Sequence, residues 1–128
     1  MFRCTVRVYY EDTDAAGIVY YANFLKFFER CRTEWLRALG FSMATQAGLQ
    51  FVVAKAALEY RGPARLDDEL TITACIARRA RSYLVFEQNA LRGDELLAQA
   101  TVQVACVNRE FSPARLPAIL NERLATAR

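Results

Sequence analysis

Residues 3–10 alternate, with Cys4, Val6, Val8 and Tyr10 on one face and Arg3, Thr5, Arg7 and Tyr9 on the other, the two-residue period of a half-buried strand. A polar loop follows over residues 11–18, and the period then changes. From Asn23 to Leu39 the apolar residues Phe24, Phe28, Cys31, Trp35 and Leu39 recur at helical spacing, with Phe27 and Leu36 widening the stripe. Lys26, Arg30, Arg32, Glu34 and Arg37 take most of the remaining surface, so the pattern predicts an amphipathic helix with a broad buried face. Gly40 supplies its C′ stop. Ser42 is placed to cap a short helical turn to about Ala47, which Gly48 breaks.

Four long segments rich in Val, Ile, Leu and aromatics come next: Phe51–Tyr60, Leu70–Arg79, Ser82–Leu91 and Leu96–Val107. Turn-forming clusters separate them, and the short connections predict antiparallel neighbours. Ser112–Leu116, with Pro113 and Pro117, closes the sheet, and Ala118–Ala127 reads as a terminal helix that frays. One helix between a first strand and a run of long strands is an α+β layout, in which the sheet wraps around the helix. Such a sheet has an open edge, and pairing that edge in a symmetric assembly predicts at least a dimer.

A length of 128 residues with 54% hydrophobic content suits one domain, residues 1–128, with a real core. The net charge of +3 rests on 15 Arg against two Lys, spread along the chain. That is too diffuse to predict nucleic-acid binding, though it leaves room for a local arginine cluster that grips phosphate. Cys4, Cys31, Cys75 and Cys106 stand far apart in apolar stretches and read as buried free thiols. No apolar run approaches the roughly 20 residues of a membrane span, and residues 1–10 do not resemble a secretory signal. A soluble, cytoplasmic protein is the expectation.

The chain contains no histidine. Ser–His–Asp and Cys–His nucleophile systems, His-ligated metal sites and Asp–His hydratase pairs are therefore excluded. Catalysis must run on carboxylate, hydroxyl, amide or backbone groups. The segment Asp12-Thr13-Asp14-Ala15-Ala16-Gly17, directly ahead of the helix, brings acids and a glycine turn to unpaired helix N-terminal N–H groups. Asp14 reads either as a turn acid or as the reactive carboxylate of acyl chemistry, and Asp12 as its partner or as a residue that shapes the turn.

The run Tyr10-x-Asp12-Thr13-Asp14-x-x-Gly17-x-Val19-Tyr20-Tyr21-x-Asn23-Phe24-Leu25, followed by Phe28-Glu29-x-x-Arg32-x-Glu34-Trp35-Leu36, resembles the hotdog-fold acyl-CoA thioesterases. The Tol-Pal-associated (YbgC-like) and 4-hydroxybenzoyl-CoA branches are the nearest. The resemblance is specific over residues 7–40 and implies a hotdog fold: a long antiparallel sheet around one central helix, assembled as a dimer or a dimer of dimers.

It further implies that Asp14 holds the catalytic carboxylate position, and that the turn from Gly17 to Tyr21 offers backbone N–H groups to a thioester carbonyl. Tyr20, Asn23 and Glu29 are candidates to line the substrate, Glu29 in some relatives reaching the site across the dimer. Many Tol-Pal-type members carry His where this chain has Tyr21, whereas the hydroxybenzoyl-CoA branch has Tyr. The turn Arg78-Arg79-Ala80-Arg81-Ser82 is either a solvated charged turn or a clamp in which Arg79, Arg81 and Ser82 hold the phosphates of coenzyme A. The implied substrate is acyl-CoA, with no metal and no cofactor apart from the CoA of the substrate. The alternatives are a non-catalytic acyl-CoA or acyl-carrier-protein binding module, and a scaffold associated peripherally with cell-envelope proteins.

Overall fold

The alternation at the N-terminus becomes strand β1 (Phe2–Arg7), and the helical stripe becomes α1 (Asn23–Ala38). The long apolar segments become β2 (Gln50–Tyr60), β3 (Glu69–Arg79), β4 (Tyr83–Arg92) and β5 (Glu95–Val107), and α2 (Ala118–Thr126) follows. The computed structural model describes residues 1–41 and 48–126, so the turn expected from Ser42 to Ala47 lies outside the described residues.

The strands form a five-stranded sheet ordered β1-β3-β4-β5-β2, with every neighbouring pair antiparallel. The short turns do join β3 to β4 and β4 to β5 as neighbours. The link from β2 to β3 does not, because β2 pairs with β5 at one edge and β3 pairs with β1. Segment 61–68 is instead tied to the connection between β1 and α1. The Val8 N–H donates to Asp68 O (2.9 Å), the Asp67 N–H to Val8 O (2.9 Å) and the Val19 N–H to Ala64 O (2.8 Å). Register shifts at Val53/Lys55, Ile76/Arg78 and Ala90/Leu91 mark the bulges that let the sheet curl.

The curled face receives α1. Phe24, Phe27, Phe28, Cys31 and Trp35 are buried in one core with Leu70, Ile72, Leu84 and Phe86, each large side chain contributing about 1.5–3 kcal/mol of burial. Trp35 sits between Phe2, stacked at 6.0 Å, and Phe86, edge-on at 6.0 Å. The helix ends where the sequence predicts. Gly40 has φ +84°, and the Gly40 and Phe41 N–H groups donate to Arg37 O (2.9 Å) and Leu36 O (2.8 Å), a Schellman closure that needs this left-handed residue.

Arg32 departs from the expected pattern. Predicted on the solvent face, it is buried, because it stands one turn after Phe28 at the margin of the stripe. Its Nη1 donates to Gln88 Oε1 (2.9 Å), and Gln88 Nε2 donates onward to Phe28 O (3.0 Å). The cysteines are free thiols. Cys31 and Cys106 are buried as expected, but Cys4 and Cys75 are only half-buried. Among the described residues, no helix is long and apolar enough to cross a membrane.

Candidate active site

Asp14 opens a tight hairpin. Its N–H donates to Ile18 O (2.9 Å), the Gly17 N–H donates to Asp14 O (2.9 Å), and Thr13 bridges Val19. Gly17 sits at φ +79°, and a Cβ at this position would meet nothing within 4 Å, so the glycine is required for its conformation rather than for space. The Asp14 carboxylate is exposed at the hairpin tip. Oδ1 accepts the Ala16 N–H (2.9 Å), which fixes the side chain, and Oδ2 has no hydrogen-bond partner among the described residues. The result is an ionisable oxygen held in place and open to a ligand.

α1 begins just beyond this hairpin without a side-chain cap. The Asn23 N–H is taken by Tyr20 O (2.7 Å) and the Leu25 N–H by Ala22 O (3.1 Å). Among the described residues no acceptor takes the N–H of Tyr21, Ala22 or Phe24. These donors, at the positive end of the helix, can receive a developing oxyanion. Asp12 builds the scaffold beneath them. It is buried, with Oδ2 accepting the Tyr9 N–H (2.8 Å) and Oδ1 accepting Asn23 Nδ2 (2.7 Å). Its role is to shape the turn, not to pair with Asp14. Tyr60, at the end of β2, donates its hydroxyl to Tyr21 O (2.8 Å) and anchors the helix start from below.

The remaining sequence candidates divide. Tyr21 lines an open cleft of about 380 Å³ with Val19, Phe24, Tyr60 and Pro63, which begins where the Asp14 hairpin ends. Tyr20 stands beside it, its ring 4.8 Å from that of Tyr21. The Tyr20 phenol is raised above its ordinary value, chiefly by its hydrogen bond to Tyr21 and then by the neighbouring charges, Asp14 included. Asn23 does not face this cleft: it is buried and committed to Asp12. Its amide is the partner of Asp12 Oδ1 in the packed loop, so it supports the site from behind.

Glu29 is exposed, accepts the Thr33 hydroxyl (3.0 Å) and lines a second cavity, of about 240 Å³, between α1 and the β4-β5-β2 side of the sheet. Arg79, Arg81 and Ser82 stand at the far end of β3 from Glu69, which neighbours the Asp14 end of the molecule. Ten strand residues separate the two ends by on the order of 30 Å, so a single chain does not bring the arginine turn to Asp14. Arg79 Nη1 donates to Asn121 O of α2 (3.1 Å).

The chain matches the sequence profile of the Thioesterase superfamily over residues 16–102. It belongs to that superfamily. It is 46% identical over 110 residues to the Acyl-CoA thioesterase YbgC of Haemophilus influenzae, covering 84% of this chain and 81% of that protein. It is also 46% identical over 121 residues to the Acyl-CoA thioester hydrolase YbgC of Escherichia coli, covering 91% and 90%. Among solved structures, a probable thioesterase from Bartonella henselae superposes with a TM-score of 0.86 at 40% identity, covering 90% of this chain and 98% of that one. The five-stranded sheet around one helix is thus the hotdog fold of the thioesterase superfamily.

Within this thioesterase fold, the roles of Tyr60, Arg32 and Gln88 were not legible in the motif itself. Two of them left a signal. Gln88 falls in phase with Leu84, Phe86 and Ala90 on the buried face of β4, and Arg32 falls four residues after Phe28. A polar residue in a buried phase requires a hydrogen-bond partner.

Proposed function

We propose that this chain hydrolyses acyl-CoA thioesters to the free acid and CoA, with Asp14 as the reactive carboxylate. The observation that carries the reading is the Asp14 hairpin: a fixed carboxylate with one oxygen open among the described residues, on the hairpin that leads into the helix start, where no described acceptor takes the N–H groups of Tyr21 and Ala22. The relatives named as acyl-CoA thioesterases support the substrate class. With the thioester carbonyl oxygen on the helix N–H groups, two routes lead to the same products. Asp14 attacks the carbonyl carbon, expels the CoA thiolate and forms an anhydride that water then cleaves; or it takes a proton from the water that attacks. Either way the thiolate leaves and is protonated, and the helix N–H groups carry the oxyanion charge. No cofactor enters beyond the CoA of the substrate. Because CoA thioesters are intracellular, the reading places the chain in the cytoplasm.

The site in this proposal is completed by a second copy. β2 is an edge strand whose apolar residues are open, Val53 at 53% and Tyr60 at 46% exposure. A two-fold axis that pairs β2 with its copy sets the start of one strand beside the end of the other. The partner's Phe51 and Val53, with the cavity they line beside Glu29, then adjoin Tyr60, Tyr21 and Asp14. The same rotation brings the partner's turn of Arg79, Arg81 and Ser82 to the end of the sheet that carries Asp14, where its guanidiniums are placed to meet the CoA phosphates.

The test is release of CoA thiol from acetyl-, medium-chain, long-chain and benzoyl-type esters by the wild type and by Asp14→Asn. The variant is expected to fold normally, since Asp14 is exposed, and to lose roughly 10³-fold or more in turnover. Hydrolysis by Asp14→Asn at the wild-type rate would overturn the assignment. Saturable binding of CoA esters by the wild type without thiol release would make the chain a binding module.

A further inference from the structure

Arg32 is 8% exposed and lies on the wall of the cavity of about 240 Å³, opposite apolar surface from Leu36, Phe51, Leu84, Val104 and Leu120. Among the described residues, its neighbours satisfy little of it. Nη1 donates to Gln88 Oε1 (2.9 Å), and the guanidinium stands 5.9 Å from the centre of the Phe86 ring. Gln88 is itself fixed by donating Nε2 to Phe28 O (3.0 Å) and Thr73 O (3.4 Å), so it holds Arg32 in place as a neutral strut.

Among the described residues no carboxylate lies within ion-pair distance of Arg32. Glu29, one turn earlier, is solvent-exposed and engaged by the Thr33 hydroxyl. Arg37, also on the wall, is paired with Glu34. A guanidinium carries five N–H donors and demands anionic acceptors when removed from water. Among the described residues most of those donors are unclaimed, at the surface of a chamber whose other lining is apolar apart from the more exposed Glu29, Thr33 and Arg37. Burial lowers the Arg32 pKa and the Glu29 charge opposes that drop, and a group with so high an ordinary value stays cationic at neutral pH. A mainly apolar chamber in which Arg32 is the one buried charge among the described lining residues has the profile of a pocket for an apolar chain that ends in a negative charge.

We infer that this cavity receives the acyl group, that Arg32 pairs with a carboxylate at its far end, and that the preferred substrates are CoA thioesters of dicarboxylic acids. The inference rests on the thioesterase reading, in which the two-fold partner supplies this cavity to Asp14. Arg32 is then a specificity-determining residue, reaching the substrate far from the reacting carbonyl.

The test uses non-hydrolysable thioethers, so that binding is read without turnover. S-carboxyalkyl-CoA compounds of increasing chain length are titrated calorimetrically against wild-type protein, each beside the S-alkyl-CoA of equal length. At the length that reaches Arg32, the carboxylated ligand is expected to bind roughly tenfold more tightly than its methyl-ended counterpart, the worth of one charged hydrogen-bonded contact. Arg32→Gln is expected to erase that ratio, and Arg32→Lys to keep part of it. A merely structural strut would weaken both ligands alike and leave the ratio unchanged, which would overturn the inference. Equal or tighter binding of the methyl-ended series at every length, or no binding of either series, would overturn it as well. Hydrolysis of the matching thioesters by the wild type is measured separately: no turnover with the binding ratio intact would sink the proposed activity and leave the Arg32 assignment standing.

Discussion

Asp12 and Asp14 are separated by one residue and do opposite work. Asp12 gives both carboxylate oxygens to the fold, one to the Tyr9 N–H and one to the Asn23 amide, and its backbone oxygen accepts the Tyr20 N–H (2.9 Å). Asp14 gives one oxygen to Ala16, and the other has no partner among the described residues. Replacing Asp12 by Ala leaves one buried and one part-buried donor without a charged acceptor, and the expected cost is about 2–4 kcal/mol of stability. Asp14→Asn keeps a side-chain oxygen for the Ala16 N–H, and its unfolding free energy should stay within a few tenths of a kcal/mol of the wild type. Urea unfolding of the two variants checks this directly, and a comparable loss in both would remove the division of labour. A sequence pattern of Asp-x-Asp does not say which acid is buried. The answer lies in the short turn at Tyr10–Asp12, which rotates Asp12 beneath the helix start while the hairpin carries Asp14 outward.

At the scale of elements, period was a good guide and connection length a poor one. The helix, its Gly40 stop and the four long strands were legible, because apolar spacing and turn residues determine local conformation. The neighbour of β2 was not, since a link the length of segment 61–68 serves a hairpin or a crossing equally well. The position of the arginine turn was illegible for the same reason. Reading Arg79 and Arg81 beside Asp14 requires the sheet order, and the order puts them at opposite ends of β3 within one chain.

The proposed clamp therefore requires the proposed partner, and Arg81 tests it more cleanly than Arg79. Arg79 holds α2 through Asn121 O, whereas the exposed Arg81 side chain has no partner among the described residues. Arg81→Glu is expected to raise KM for acyl-CoA roughly tenfold and to leave KM for a truncated thioester without the nucleotide unchanged. Steady-state kinetics on both substrates decide the matter, and an equal rise on both would refute a phosphate contact.

For the whole molecule, the edge strand β2 is the least finished surface. Phe51, Val52, Val53, Ala54, Ala56, Ala57 and Leu58 crowd an element that, among the described residues, has a neighbour on one side alone, and a long apolar edge left open is a site of association. In an antiparallel ladder, successive N–H groups point to alternate sides. Of two adjacent residues such as Ala56 and Ala57, one donates toward β5 and the other outward. Proline at the first removes a ladder bond inside the chain; proline at the second removes a donor that only a partner would use. One of Ala56→Pro and Ala57→Pro is therefore expected to fold with near-native secondary structure yet sediment as a monomer, while the wild type sediments as a dimer or a larger even assembly.

Because the proposed site joins Asp14 of one protomer to the cavity of the other, that monomer should also lose most acyl-CoA turnover although every catalytic side chain is intact. Analytical ultracentrifugation paired with the thiol-release assay checks both halves together. A folded monomer with full activity would confine the site to one chain, and the cavity beside Arg32 would then need another route to the reacting carbon. An outward-facing proline that leaves the dimer intact would move the interface away from β2, to the outer face of the sheet or to the helices.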